Sequence, residues 1–313
     1  MTEKYRPEGC LAEKPEMKEQ ISSLACLEYA LSAGAILEST AVLCDAKHNL
    51  IVELGKYKGI IPRAEASYSI DGSETRDIAI ITRVGKPVCF KVLSVDKSSD
   101  EPLILLSRRE AQAECFENYV SKLTPGDVID ARVTHIESFG CFCDVGCGII
   151  SLLPVDCISV SRISNPKERF CSGDLIKCAV KTNDRTTGRI SLTHKELLGT
   201  WEENASLFSP GETAAGIIRS IEPYGIFVEL MPNLAGLAEW CEGAETGHAA
   251  AVYIKSIVPS KMKIKLVIID SNVPPATVLK KPEYVIDSGR IEKWVYSPPG
   301  CEKYIYTDFT EET

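Results

Sequence analysis

The chain has 313 residues, 44% of them apolar, with a formal net charge of −9. That size allows two or three modest cores, the lack of a long uncharged apolar run argues against a membrane-spanning helix, and the acidic balance excludes a general polycation, so a nucleic-acid contact needs a local basic face. Thirteen scattered cysteines, an odd number, suit a reducing compartment better than a disulfide framework.

The opening residues, MTEKYRPEGCLAEKPEMKEQ, carry charge where a secretory signal needs an apolar stretch, so a cytoplasmic protein is expected. Over residues 11–33, Leu11, Ile21, Leu24, Leu27 and Leu31 recur among helix formers. This spacing predicts one amphipathic helix, within an N-terminal helical segment 1–33, covering the domain that follows. Residues 34–108 change to short β-branched runs punctuated by Gly and Pro, which read as strands. A helical linker, 109–124, ends at Pro125-Gly126. The β pattern returns over 125–196, a second helical linker spans 197–209, and the pattern returns again over 210–270. The extension 271–313 starts Pro-rich (SNVPPATVLKKP), and YVIDSGRIEKWVYSP then offers two β-rich runs around Asp287, Ser288 and Gly289, a candidate hairpin.

The three β stretches are copies of one unit. PGDVIDARVTHIESFGCFCDVG (125–146) recurs as PGETAAGIIRSIEPYGIFVEL (210–230) and, more loosely, as AGAILESTAVLCDAKHNLIVELG (33–55). Aligning Phe139 with Tyr224 and His48 gives periods of about 85 and about 91 residues. Each unit is therefore a small domain and not a solenoid turn. In the middle copy, 128–136 and 141–145 read as strands, and 177–182 and 189–193 as a later hairpin across NDRTTG. Five short strands in such a unit are too few for a sandwich, and a small closed barrel hides their edges economically.

SFGCFCDVG, a Gly-rich turn and LIKCAVKTNDRTTGRISLTHKE together resemble the S1-type RNA-binding domain, and PYGIFVELMPNLAGLAEW is a second match. The first unit resembles the degenerate leading domain of small-subunit ribosomal protein S1, and the whole chain resembles a short form of that family over roughly residues 30–270. The resemblance implies an all-β protein of three tandem five-stranded OB-fold barrels, with an N-terminal helix and helical linkers. It further implies a cytoplasmic protein that binds single-stranded RNA, mRNA in particular, and the small ribosomal subunit.

A sequence-tolerant single-strand binder needs exposed ring faces for bases and cations for phosphates. Phe139 and Phe142 form the candidate stacking pair, because the Gly140 turn breaks strict alternation and can bring both rings to one face; the competing reading is that both are core. Lys181, Arg185 and Arg189 would follow the backbone, within a stretch 160–195 that holds eight Lys/Arg against three acids and could also be only a solvated edge. Asp184 matches the family's usual aspartate. Tyr224 and Phe227 repeat the ring pair in the third unit, with Lys255, Lys261, Lys263 and Lys265 as its cations, Lys255 and Lys263 being the foremost candidates. The family's usual histidine is replaced by Pro62, Pro154 and Glu239, and the late loop of the third unit (VPSKM) lacks the Asp and Arg. His48, Asn49 and Ile51 leave the first unit without a stacking surface, which points to protein or ribosome docking there.

Cys141, Cys143 and Cys147 lack the paired C-x-x-C knuckles of a zinc site, so no metal is expected, and no other cofactor, small-molecule substrate or membrane contact is indicated. The four histidines, His48, His135, His194 and His248, lie at unrelated positions, and neither a catalytic triad nor a phosphate-cradling glycine motif is present. The expected function is RNA binding in translation, without catalysis. The alternatives are an off-ribosome RNA-binding regulator of transcription or decay, and a protein-interaction scaffold that has lost RNA.

Overall fold

Each of the three β-rich stretches closes on itself. The computed structural model describes residues 4–70, 72–99, 101–273 and 283–310. The first barrel consists of β1 (Leu37–Cys44), β2 (Leu50–Leu54), β3 (Tyr57–Ile61), β4 (Pro87–Asp96) and β5 (Leu103–Ser107). The middle barrel has β6 (Val128–Glu137), β7 (Gly140–Gly146), β8 (Ile149–Pro154), β9 (Leu175–Asp184) and β10 (Arg189–Thr193). The third has β11 (Thr213–Glu222), β12 (Gly225–Met231), β13 (Leu234–Ala238), β14 (Ala249–Val258) and β15 (Lys263–Val273). In all three the first strand pairs with the second and the fourth, and the third runs parallel to the fifth.

Alternation sorts each strand into an inner and an outer set. On β7, Cys141, Cys143 and Val145 are fully buried, so these thiols serve as small apolar core residues beside Val133, Cys178 and Leu192. Gly140 opens β7 where a Cβ would lie 2.5 Å from the Leu153 carbonyl oxygen, and Gly225 meets the Ala238 oxygen at the same 2.5 Å. Glycine is thus required there by close backbone approach.

The single N-terminal helix expected over 11–33 is instead two, α1 (Pro15–Gln20) and α2 (Leu24–Ala33). The break has a local cause. Ser23 caps α2 by accepting from the Cys26 N–H, while Ile21, at the end of α1, is buried in the first barrel's core together with Leu11 and Leu27. A short α3 (Asp77–Ile81) precedes β4, α4 (Arg108–Asn118) joins the first barrel to the middle one, and α5 (Trp201–Ala205) joins the middle to the third.

Both junctions are buried and polar. Between the first and middle barrels, Arg108 donates through Nε and Nη2 to both oxygens of Glu8, at 2.8 and 3.0 Å, and the Glu8 N–H donates to Asp144 Oδ2 at 2.7 Å. Between the middle and third, Arg169 reaches Glu229 at 2.6 Å, and Arg219 bridges Glu229 to Glu168. The eight cations of 160–195 therefore do not share one face: Arg169 lies in this network, and Lys177 pairs with Asp130 at 2.7 Å.

The candidate hairpin around 287–289 does not form. Those residues run along the middle barrel, with Val128 N–H donating to Gly289 O and Ile291 N–H to Gly126 O, both at 2.9 Å, so their backbone groups are used there and not on each other. A two-stranded ribbon does occur further on, from β16 (Lys293–Val295) and β17 (Tyr306–Asp308). Trp294, Tyr296 and Phe309 anchor it in the third barrel's apolar cluster, where Trp201 and Ala179 of the linker and middle barrel also pack.

Candidate nucleic-acid interface

The outer wall of the middle barrel is assembled by strand register. His135 pairs with Phe142, Phe142 with Leu152, Leu152 with Ser191 and Ser191 with Thr182, so one row crosses all five strands. Phe139 sits in the turn before β7, is 54% exposed, and meets Phe142 edge to face with centroids 6.0 Å apart and planes at 89°. The Gly140 turn thus brings both rings to one face and neither is core. The third barrel repeats the arrangement: Tyr224 is 70% exposed and meets Phe227 at 6.1 Å and 86°. Its row reads Ser220, Phe227, Leu237, Lys265 and Ser256.

The cations are placed by two different devices. Lys181 is the extra residue of a bulge between β9 and β10, and Lys255 is the extra residue at the same place between β14 and β15. Lys181 Nζ lies 3.3 Å from Cys157 Sγ, in the Val155–Cys157 turn whose first N–H donates to the Phe139 carbonyl, so this lysine stands at the ring-pair end of the barrel. Lys255 leans 3.6 Å from Glu239, which follows β13. Arg185 and Arg189 are exposed at the far end of the same wall, where β10 runs beside β8. Asp184 organises its own loop, accepting from the Thr186 N–H at 2.9 Å and from the Thr187 N–H and hydroxyl, and these bonds lower its carboxyl below the usual range. Lys263 starts β15 opposite Val258, exposed, while Lys265 is the third barrel's lysine in the ring row.

Sequence reasoning passed over two rings. His135 lies against Phe142 with centroids 6.4 Å apart and planes at 25°, and Trp240, 67% exposed, follows Glu239 in the third barrel. His135 was legible in principle, since pairing outward from Glu137 and Gly140 puts it across from Phe142. His194, by contrast, is buried between Phe170 and Tyr284, and burial lowers its pKa to about 4.

In the first barrel the hairpin turn is held by Asp45, which accepts from the Lys47 and Asn49 N–H groups, and His48 takes a positive φ of 61° with its ring 3.5 Å from Asp77. The ring pair of the other barrels is missing, Ile51 standing where they carry Phe142 and Phe227. The row there is Leu43, Ile51, Ile60, Leu105 and Ser94, and the bulge residue is Leu93. Among the described residues no group of three or more His, Cys, Asp or Glu is placed to hold a metal ion, and no helix is long and apolar enough to cross a membrane.

The S1 RNA binding domain family model matches residues 122–195, the middle barrel with its ring pair and bulge lysine, and the other two barrels share that barrel's strand order. Over 61–77% of its length the chain is similar to small ribosomal subunit protein bS1 of several bacteria. It is 30% identical over 198 residues to the bS1 homolog of Bacillus subtilis (strain 168), covering 61% of this chain and 49% of that protein. It is 26% identical over 243 residues to bS1 of Leuconostoc lactis (72% and 54% covered) and 28% identical over 257 residues to bS1 of Rhizobium meliloti (strain 1021; 77% and 44%). The chain spans about half the length of these relatives.

Proposed function

We propose that the chain binds single-stranded RNA, mRNA in particular, on the ring faces of its middle and third barrels, and that it acts in translation, in the cytoplasm, in association with the small ribosomal subunit, without catalysis of its own. The observation that carries this reading is the repeated ring pair, edge to face in both barrels and each beside a bulge lysine. Bases stack on exposed π faces whatever their identity, and the lysines and arginines follow the phosphates. In the middle barrel Phe139 and Phe142 take bases, Lys181, Arg185 and Arg189 take the backbone, and Asp184 shapes the loop; in the third, Tyr224, Phe227, Lys255 and Lys263 act likewise. The ribosomal association rests on the names of the relatives, and the aliphatic row of the first barrel supports a protein contact for that barrel.

The test is fluorescence anisotropy of a labelled unstructured RNA at two salt concentrations, with wild type and Phe139→Ala/Phe142→Ala. Binding should weaken as salt rises, with log K falling by about 0.7 per log unit of salt for each phosphate neutralised. Loss in a still-folded variant supports the ring face. No salt-sensitive binding by wild type overturns the reading in favour of a protein scaffold, and sedimentation of the native protein away from small subunits would move it to an off-ribosome regulator.

A further inference from the structure

Where the first and middle barrels meet, a cleft of about 590 Å³ opens directly beside the far end of the ring-bearing wall. Its apolar side is made by Tyr68, Phe116, Ile70 and Ile150, with the Tyr68 and Phe116 rings 6.0 Å apart and tilted by 39°. Its polar side includes Thr186 and Arg189. Ile70 and Ile150 are each 42% exposed, large apolar surfaces facing an open space.

The cleft continues the wall. Along β8 the outward residues are Ile150 and then Leu152, about 7 Å apart by strand geometry, and Leu152 is the cross-strand neighbour of Phe142. A strand of RNA leaving the ring pair along β8 therefore arrives at Ile150, next to Arg189. The two walls are held in place: the Glu8–Arg108 pair locks the barrels together, Gln112 ties them by donating to the Cys147 carbonyl while accepting from the Tyr68 N–H, and a Cβ on Gly188 would lie 1.8 Å from Ile70. The space is of ligand-pocket size, about 300–1,000 Å³ being usual, and combines rings, aliphatic walls, a hydroxyl and a guanidinium. Those are the groups that a base, a ribose and a phosphate require.

We infer that this cleft is a nucleotide-binding subsite that receives a base of the RNA lying on the middle barrel, stacked against Tyr68 and Ile150 with its phosphate on Arg189. The inference rests on the RNA-binding reading and adds to it a contribution from the first barrel, whose own row lacks rings. The same chemistry would take a free mononucleotide, and the test separates the two sources.

Labelled oligoadenylates of increasing length, some with one 2-aminopurine, are titrated into the full chain, its Tyr68→Ala variant and its Ile150→Glu variant, with folding checked by circular dichroism. Wild type should show a step in affinity once the oligomer is long enough to reach the cleft, with 2-aminopurine quenched at that position. Both variants should lose about 5- to 150-fold on the long oligomers, the range of one base stack, and keep wild-type affinity for the short ones. Using two variants keeps the outcome readable if one fails to fold. Wild-type affinity of both folded variants at all lengths overturns the cleft alone. Equal loss at every length also overturns it, because the wall itself was then disturbed. Saturable binding of free AMP that long RNA does not displace overturns the RNA source, and absence of RNA binding by wild type at any length overturns the RNA reading itself.

Discussion

Along the row where the middle barrel sets His135, Phe142, Leu152, Ser191 and Thr182 side by side, the first barrel sets Leu43, Ile51, Ile60, Leu105 and Ser94. The strand order is the same, the bulge on the fourth strand is the same, and the residue in that bulge changes from Lys181 to Leu93. Barrel closure depends on the inward set alone, so the outward set is free to differ. The hairpin makes the contrast sharper. From row residue to row residue it takes eight steps in the first barrel (43 to 51) and seven in the middle one (135 to 142), and the added residue accompanies an Asp45-held turn in place of the tight turn that raises Phe139. One barrel thus presents a ring pair and its neighbour an aliphatic row on the same scaffold.

The largest effect should come from breaking the bond between the two. Glu8→Ala leaves Arg108 buried without its carboxylate, and we expect a loss of about 3–5 kcal/mol in denaturant unfolding, with affinity for short oligomers that do not reach the cleft retained at low temperature where the variant is still folded. Lost affinity for those short oligomers in the folded variant would mean that the first barrel is part of the binding unit beyond its cleft wall. Next, Phe139→Ala/Phe142→Ala should weaken RNA binding by about 1–3 kcal/mol per lost stack, whereas Leu43→Ala/Ile51→Ala should leave RNA affinity unchanged. Equal losses from the two pairs would dissolve the contrast between the barrels.

A smaller effect concerns pH. Burial raises the Glu38 carboxyl from 4.5 to about 7, and burial with Glu8 nearby raises Asp144 as well. Both bind protons more tightly in the folded chain than in the unfolded one, so the stability they contribute is lost as pH rises through the folded pKa. As pH rises from about 5 to about 8 we expect stability to fall, by at least on the order of 1 kcal/mol, seen as a lower Tm, with the fall reduced in Asp144→Asn. His194, held down at about 4, changes charge below this window. The smallest effect is Lys181→Leu, which gives the middle barrel the first barrel's bulge residue. It should cost on the order of 0.5 kcal/mol in RNA affinity and make the salt slope shallower by about 0.7, while Lys177→Leu, at an ion-paired site, should leave the slope alone.

Much of this molecule is written in local pattern. The repeat, the turn glycines and the period-two runs specified three small barrels and put Phe139, Phe142, Tyr224 and Phe227 at matching places, because inward and outward positions alternate along a strand whatever the partner strand is. What lay beyond reach depends on contacts between residues distant in sequence. Glu8 and Arg108 meet 100 positions apart, and Arg169 with Glu229 60 apart, so nothing local marks Arg169 as spent in a junction while Arg189 stays exposed. The same holds for residues 283–310, whose run around Asp287 has strand character but whose backbone bonds go to Gly126 and Val128, so that the ribbon forms at 293–308. The sequence by itself determined the kind of barrel and its ring positions, through short-range periodicity and turn chemistry. Only the tertiary structure decided which cations remain available, how the barrels lock, and that a cleft opens between the first two, since these follow from long-range packing that satisfies buried charges and backbone groups.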